Sequence, residues 1–202
     1  MKKKLILVTQ RVHFDQKTKE RRDSLDQRWS QFLEKCGFIS IVISNNSNFT
    51  IFRKKINFDG ILFTGGNSLI KYGGSAIERD FLEKEILKYS IKKKIPLIGV
   101  CRGMQVIQDY FNTRLVRVKN QVSPRQVIVF NNKKTTVNSF HDYGSYENTK
   151  NFKTLAFSNE RIIKAFHHIK LPILGIMWHP ERYKTFKEED ISLFKNFFKN
   201  LL

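Results

Sequence analysis

Short runs of aliphatic residues alternate along the chain with longer segments in which apolar positions recur every three or four residues. The short runs predict β-strands, and the longer segments predict amphipathic helices. The expected elements are strands at residues 4–9, 38–44, 60–64 and 95–100, and helices at residues 23–36, 75–92, 102–111 and 187–201. Strands that alternate with helices are typical of a parallel sheet whose faces are covered by helices.

The pattern changes between residues 113 and 177, where β-prone runs follow one another without helical segments between them. Such a stretch predicts several short antiparallel strands. No internal repeat or low-complexity tract divides the chain. We therefore expect one α/β domain over residues 1–202, with a mostly parallel sheet and a small antiparallel extension.

The composition fits this expectation, because 41% of the 202 residues are hydrophobic and can form one substantial core. The apolar run at residues 5–8 is too short for the core of a signal peptide, and no stretch has the length of a membrane span. A cytoplasmic protein without a membrane partner is expected. The two cysteines, Cys36 and Cys101, are expected to be free thiols rather than a disulfide.

The net charge of +19, from 37 basic and 18 acidic residues, raises the question of nucleic-acid binding. The basic residues, however, form short clusters throughout the chain, such as those at residues 53–55, 92–94 and 133–134. Scattered clusters favour solvated faces over one binding stripe, so no nucleic-acid partner is expected. A non-catalytic nucleic-acid-binding protein remains the alternative from another class. A basic surface would also help to capture a small anionic substrate.

The most informative segment is residues 95–105, where a buried strand runs through Gly99-Val100-Cys101-Arg102-Gly103 into a helix. Gly-x-nucleophile-x-Gly between a strand and a helix is a nucleophile elbow, here with cysteine as the nucleophile. The turn is so sharp that side chains two residues before and after the nucleophile would collide. The helix N-terminus would stabilise a Cys101 thiolate, and the N–H of Arg102 is a candidate oxyanion donor.

A catalytic thiolate needs a base, and Met177-Trp178-His179-Pro180-Glu181 offers one. The proline disfavours helical backbone at His179, so His179 and Glu181 can project to the same side of an extended segment. Glu181 would then orient the imidazole while the ring faces the thiol. Taken alone, this motif could equally be a plain turn.

A third candidate element is the strand end at residues 59–68, which carries paired glycines. Glycine lets backbone N–H groups turn toward an oxygen that side chains would otherwise shield. Gly66 is the candidate for the second oxyanion donor, and Gly65 is nearly as good a candidate.

Together, these motifs resemble the class I glutamine amidotransferase-like superfamily and, within it, the γ-glutamyl hydrolase branch. The resemblance implies a flavodoxin-like α/β fold with helices on both faces of the sheet, a nucleophile Cys101, a base His179 and its partner Glu181. It also implies a substrate site for a γ-glutamyl group. Its contacts would be Gly65, Gln105 on the helix after the nucleophile, and the loop residues Asn138, Ser139, Phe140 and His141.

The segment at residues 20–29 is similar to that of γ-glutamyl-CDP-amidate hydrolases, an enzyme group of capsule phosphoramidate biosynthesis. The resemblance implies cleavage of a γ-glutamyl amide in a nucleotide-linked substrate. Arg21, Arg22 and Arg28 could reach the carboxyl edge of the sheet and pair with a diphosphate. They could equally form ion pairs on the surface.

The function expected from the sequence is therefore hydrolysis of a γ-glutamyl amide through a cysteine thioester. A glutaminase subunit that supplies ammonia to a synthase partner would use the same residues and is the nearest alternative. No Cys-x-x-Cys or His-Glu-x-x-His spacing occurs, so neither a metal nor another cofactor is expected. The sequence does not determine the oligomeric state.

Overall fold

The computed structural model describes residues 3–199. Its helices and strands follow one another in the order β1 (Leu5–Val8), β2 (Arg11–Phe14), β3 (Arg21–Ser24), α1 (Arg28–Lys35), β4 (Ile39–Val42), α2 (Phe49–Lys55), β5 (Gly60–Phe63), α3 (Ile77–Lys93), β6 (Leu97–Val100), α4 (Arg102–Tyr110), β7 (Val116–Arg117), β8 (Val122–Phe130), β9 (Lys133–Phe140), β10 (Tyr143–Gly144), β11 (Phe152–Ser158), β12 (Ile163–His168), β13 (Ile173–Ile176) and α5 (Glu188–Phe198). Short 3₁₀ turns occur at Ile70–Tyr72 and Pro180–Arg182.

One large sheet organises the molecule, with the strand order β4-β1-β5-β6-β13-β12-β11-β8-β9. The first five of these strands are parallel, and the remaining four join them by antiparallel pairing. Counted along the chain, the parallel strands have the order 2-1-3-4-5, which is the flavodoxin-like arrangement. The predicted parallel sheet with an antiparallel extension is therefore confirmed.

The parallel part of the sheet lies in the centre of the core. Every residue of β5, β6 and β13 is buried, and β1 is buried apart from its first residue. Strands buried on both faces require helices on both sides, as in other parallel sheets. On α1, for example, Trp29, Phe32 and Leu33 form the buried face that the hydrophobic pattern predicted.

The helix predicted at residues 23–36 is wrong in its first part. Residues 21–24 form β3, which pairs with β2 in an antiparallel hairpin, and α1 begins only at Arg28. The carboxylate of Asp23 explains the difference, because it accepts hydrogen bonds from the Ser44 hydroxyl and from the backbone and side chain of Asn45. These bonds attach the hairpin to the segment after β4.

Three further elements differ from the sequence prediction. The short helix α2 was not predicted, although Asn48 caps it by accepting a hydrogen bond from the backbone N–H of Ile51. The strands β8 and β9 are longer than expected, with nine and eight residues. The C-terminal helix is confirmed through Phe198, while residues 200 and 201 of its predicted span lie outside the described residues. Within residues 3–199, no helix has the length and apolar character needed to cross a membrane.

Candidate active site

Three neighbouring parallel strands end at the same edge of the sheet. The middle strand, β6, pairs with β5 on one side and with β13 on the other. The carboxyl end of β5 leads into the glycine pair at residues 65–66, that of β6 into Cys101, and that of β13 into His179. Parallel pairing thus brings together three segments that are far apart in the sequence, at the edge where open α/β sheets bind ligands.

Cys101 lies in the sharp turn that its flanking glycines predict. Its backbone has φ 53° and ψ −107°, a conformation that is costly for a residue with a side chain. A methyl group added at Gly99 would lie 2.5 Å from the carbonyl carbon of Gly103. One added at Gly103 would lie 2.4 Å from the carbonyl oxygen of Phe63. Glycine is therefore required at both positions, and the geometry is that of a nucleophile elbow.

The Cys101 thiol is only 6% exposed and can donate a hydrogen bond to the carbonyl oxygen of Phe140, at 3.7 Å. Burial by itself raises the pKa of this thiol. The positive charge and hydrogen bond of His179, the charge of Arg182 and the N–H of Arg102 act in the opposite direction and hold the pKa below its usual value. The side chain is therefore prepared to react as a thiolate.

His179 faces the thiol and is oriented by Glu181, whose carboxylate lies 2.7 Å from its Nδ1. The backbone of His179 is extended, as the following proline predicted. Burial lowers the pKa of the imidazole, but the Cys101 thiolate and Glu181 more than offset this and raise it above its usual value. The opposite shifts of the two groups favour a thiolate–imidazolium pair.

The absence of a side chain at Gly65 provides the space that the His179 imidazole occupies. A methyl group at Gly65 would lie 2.5 Å from Cε1 of His179 and 3.5 Å from Cβ of Cys101. Gly66 has φ +83°, which favours glycine for a different reason, its left-handed backbone. The two glycines are thus required by the site geometry, one for a close approach and one for the turn.

The side chain of Arg79 fixes the orientation of the glycine turn. Its buried guanidinium donates to three consecutive carbonyl oxygens, those of Thr64 (2.7 Å), Gly65 (3.1 Å) and Gly66 (2.8 Å). In a trans peptide the N–H points away from the C=O of the same unit. Because the Gly65 carbonyl faces Arg79, the N–H of Gly66 faces away from it, as an oxyanion donor would need.

A single carboxylate joins this turn to the elbow. Glu83 is fully buried, and its Oε1 accepts hydrogen bonds from Nε of Arg79 (3.0 Å) and from the hydroxyl of Thr9 (2.7 Å). Its Oε2 pairs with the guanidinium of Arg102, which also contacts Asp80. The backbones that carry both candidate oxyanion donors are therefore anchored to one buried ion-pair network.

A small cavity opens over the nucleophile. We call it the acyl cavity; it is lined by Gly66, Asn67, Ser68, Cys101, Arg102, Gln105, Phe140, His141, Asp142 and Tyr143. It contains three of the residues that the resemblance implied for substrate contacts, namely Gln105, Phe140 and His141. The amide nitrogen of Gln105 donates to the carbonyl oxygen of Tyr143, at 2.8 Å, which fixes the side chain against the cavity wall.

The structure does not bring Asn138 and Ser139 into this cavity, although they were predicted to contact substrate. The side chain of Asn138 makes two 2.8 Å hydrogen bonds to the backbone N–H and C=O of His179. The Ser139 hydroxyl donates to the carbonyl oxygen of Gln121, at 2.7 Å. Both side chains are buried, and their partners assign them to holding the loop and the imidazole in place.

Both ring nitrogens of His141 also have partners in the protein. Its Nε2 lies 2.6 Å from Nζ of Lys164, and its Nδ1 lies 2.9 Å from the carbonyl oxygen of Tyr143. Because the carbonyl oxygen can only accept, Nδ1 carries the proton and Nε2 accepts from the lysine. Burial and the neighbouring Lys164 lower the pKa of His141 to about 3, so the ring is neutral.

The three arginines predicted to bind a diphosphate are engaged elsewhere. Arg21 pairs with Glu78, and Arg22 pairs with Glu20 and Asp15. Arg28 donates to the backbone carbonyl oxygens of residues 181, 183 and 184 and therefore braces the turn after His179. None of the three lines a cavity at the strand edge described here.

Two other arginines, Arg11 and Arg182, line a second cavity beside His179, and sequence reasoning missed both. The position of Arg11, three residues after β1, was the only signal for it. The charged pair Arg79 and Glu83 was also missed, because an i,i+4 pair on a predicted helix is usually solvent-exposed. Cys36 and Cys101 are free thiols, as predicted. In the described part of the chain, no group of three or more potential ligand side chains is arranged to hold a metal ion.

The fold and the arrangement of cysteine, histidine and glutamate define a class of enzyme. The family model of class I glutamine amidotransferases matches residues 19–201, and the chain belongs to this family. It is accordingly a hydrolase of the kind that uses a cysteine to cleave carbon–nitrogen bonds.

Two individual curated relatives and one solved structure show which proteins the chain is similar to. The chain is 31% identical over 180 residues to the γ-glutamyl-CDP-amidate hydrolase of Campylobacter jejuni, covering 87% of this chain and 88% of that protein. It is 32% identical over 155 residues to the glutamine-hydrolysing GMP synthase subunit of Pyrococcus abyssi, covering 72% and 77%. A crystal structure from Thermoplasma acidophilum, assigned to the corresponding GMP synthase subunit, has a TM-score of 0.73 at 18% identity, covers 98% and 94% of the two chains, and shares the fold.

Proposed function

We propose that the protein hydrolyses a γ-glutamyl amide bond with Cys101, His179 and Glu181 as its catalytic residues, and that its substrate is γ-glutamyl-CDP-amidate. The observation that carries the proposal is the placement of a thiol in a nucleophile elbow opposite a histidine that a carboxylate orients at 2.7 Å. The substrate is taken from the Campylobacter jejuni relative, which matches this chain over most of both lengths.

In the proposed mechanism, the Cys101 thiolate attacks the γ-carbonyl carbon and forms a tetrahedral intermediate. The N–H groups of Gly66 and Arg102 donate to the oxyanion. The carbon–nitrogen bond then breaks while the His179 imidazolium gives its proton to the leaving nitrogen. Water, deprotonated by His179, cleaves the γ-glutamyl thioester and releases glutamate, which restores the thiol site.

The test is glutamate release from three substrates by the purified protein. γ-Glutamyl-CDP-amidate is compared with glutamine and with a simple γ-glutamyl amide. We expect fast release from the nucleotide substrate, and we expect Cys101→Ala to abolish it while the thermal unfolding curve stays unchanged. Cys36→Ala is the matched control, because Cys36 packs in the core. Full turnover by Cys101→Ala would refute the proposed nucleophile.

A second candidate function is a glutaminase subunit that supplies ammonia to a synthase. The 32% identity to the GMP synthase subunit of Pyrococcus abyssi favours it. This function requires the same three catalytic residues but predicts turnover of glutamine itself, slow in isolation and stimulated by a partner protein. Preferential hydrolysis of glutamine in the three-substrate comparison would therefore decide for the second candidate.

A further inference from the structure

Two cavities meet at the proposed reacting groups and divide the surrounding space between them. The acyl cavity contains Cys101, and the second cavity contains His179; Gly66 lines both. If the γ-glutamyl group lies over the nucleophile, the atoms beyond the scissile nitrogen must lie on the side of the group that protonates this nitrogen. We therefore call the second cavity the leaving-group cavity; its charged or titratable lining residues are Arg11, Asp26, His179, Glu181 and Arg182.

We propose that Arg11 and Arg182 form a binding site for a phosphoryl group on the leaving nitrogen and thereby set the specificity for an anionic leaving group. This inference rests on the proposed function, because it assumes that the γ-glutamyl group occupies the acyl cavity. Guanidinium groups suit this task since they keep their charge and can bind phosphate oxygens in pairs.

The position of Arg11 supports this assignment. Arg11 is the first residue of β2 and lies three residues after the end of β1. The strand β1 pairs with β5, which leads into the glycine turn. This is where the strand order reverses, the point at which flavodoxin-like sheets bind ligands. The stem of Arg11 lies directly on Gly66, since a methyl group added there would be 2.8 Å from Cδ of Arg11. The side chain therefore lies immediately beside a candidate oxyanion donor.

Arg182 lies next to the acyl cavity. Its guanidinium carbon is 4.9 Å from the centre of the Phe140 ring, which lines the acyl cavity. Its Nε is 3.6 Å from Glu181, a carboxylate already engaged with His179, and its side chain is 38% exposed. Its charge also contributes to the lowered pKa of the Cys101 thiol. Arg182 thus lies within electrostatic reach of the nucleophile while it remains open to a ligand.

Neither acidic residue of the leaving-group cavity makes a close ion pair with its arginines: among residues 3–199, Arg11 has no carboxylate in an ion pair with it, and Arg182 has the 3.6 Å contact with Glu181. Glu181 is paired with His179, and Asp26 accepts a hydrogen bond from the backbone N–H of Arg28, at 3.0 Å. In contrast, Arg21 pairs with Glu78 at 2.6 Å, and Arg22 pairs with Glu20. The two arginines that line the cavity are therefore better placed to receive an anion than those that the sequence suggested.

The first test compares two substrates that share the γ-glutamyl group: γ-glutamyl-CDP-amidate and the neutral γ-glutamyl methylamide. In Arg11→Gln and Arg182→Gln we expect kcat/KM for the phosphoryl substrate to fall roughly 10- to 100-fold, as for a lost charge-assisted hydrogen bond. We expect a change of less than about threefold for the methylamide in Arg11→Gln. Arg182→Gln can slow both substrates through the Cys101 thiol, so the ratio of the two rates is the readout.

Arg53→Gln is the matched control. Arg53 lies in the last turn of α2, a few residues before β5 begins, and thus at the opposite edge of the sheet. It should leave the ratio of the two rates unchanged. Equal losses on both substrates in both cavity variants would overturn the inference. Absence of hydrolysis of any substrate by the wild-type protein would instead refute the proposed function.

A second measurement does not depend on turnover. Binding of cytidine diphosphate and of inorganic pyrophosphate to the Cys101→Ala protein is measured by calorimetry, with and without Arg11→Gln or Arg182→Gln. We expect each substitution to weaken the binding of both probes at least about tenfold. Unchanged affinity in both variants, or no binding of either probe to Cys101→Ala, would overturn the proposed site even if the enzyme hydrolyses γ-glutamyl amides.

Discussion

A buried pair of arginines and a buried lysine lie close to the nucleophile, and their positive charges are compensated in different ways. Under the elbow, Arg79 and Arg102 pair with the carboxylates of Glu83 and Asp80. Beneath the loop that lines the acyl cavity, Lys164 is equally buried, and its amine contacts the Ser139 hydroxyl (3.0 Å) and His141 Nε2 (2.6 Å). Among residues 3–199, Lys164 has no carboxylate in an ion pair with it.

The pKa values reflect this difference. Burial lowers the pKa of Lys164 to about 7, because the charges of Cys101 and Glu160 offset only part of the loss of solvation. Burial of Glu83 alone would raise the pKa of its carboxyl, but Arg102 and Arg79 reverse the effect and hold it below its usual value. The elbow is therefore held by ion pairs around a carboxylate, Glu83, whose lowered pKa keeps it ionised at neutral pH, whereas the loop rests on an amine that titrates near pH 7.

The largest effect is expected when the network under the elbow loses its shared carboxylate. Glu83→Ala should lower the free energy of unfolding by about 3–5 kcal/mol, because it removes a carboxylate partner from each of two buried guanidinium groups, those of Arg79 and Arg102. Urea denaturation measures the loss. Glu85→Ala is the matched control, since Glu85 is exposed on the same helix, α3. A loss no larger than that of the control would mean that the network adds nothing to stability.

For Lys164, we predict a pH-dependent effect of about 2 kcal/mol. Its folded-state pKa of about 7 is below the usual 10.5, so between these values the unfolded state binds the extra proton. Stability from this group therefore rises with pH in that window and is reduced below it. Between pH 7 and pH 9, the unfolding free energy of the wild type should rise by about 2 kcal/mol more than that of Lys164→Met. Parallel curves would contradict the prediction.

The sequence predicted the parts of the site that depend on local backbone constraints. The glycines around Cys101 and the proline after His179 restrict their neighbours directly, so the elbow and the extended histidine could be predicted. The role of Asn138 could not, because its partner His179 is 41 positions away. The resemblance therefore suggested that Asn138 contacts substrate, whereas the structure shows that it hydrogen-bonds the backbone of His179.

The same limit applies to the arginines. Arg21, Arg22 and Arg28 were expected to reach the carboxyl edge of the sheet, but the Asp23 carboxylate anchors a hairpin in this segment. Which arginines face a cavity and which face a carboxylate depends on contacts such as that of Arg21 with Glu78, 57 positions along the chain. Residue type and spacing contain no direct signal for such contacts.

The Cys101 thiol and the His179 imidazole provide a third kind of compensation, in which two titratable groups stabilise each other's charge. The lowered pKa of Cys101 means that its thiolate persists at lower pH than that of a free thiol. In His179→Gln, alkylation of Cys101 by iodoacetamide at pH 7 should slow roughly tenfold or more, and its pH profile should move upward. Cys36 is the internal control, because burial raises its pKa to about 12 and keeps it protonated. An unchanged pH profile would show that His179 does not set the thiolate.

The smallest effect is expected for an ion pair at the surface. Arg21 joins the β2–β3 hairpin to α3 through Glu78, at 2.6 Å, but its side chain is 43% exposed. Water already solvates the guanidinium well, so a double-mutant cycle of Arg21→Ala and Glu78→Ala should give a coupling energy of only about 0.2–1 kcal/mol. Raising the salt concentration should reduce it further, because exposed charges are screened. A coupling near that of the buried network would show that burial is not what separates the two kinds of pair.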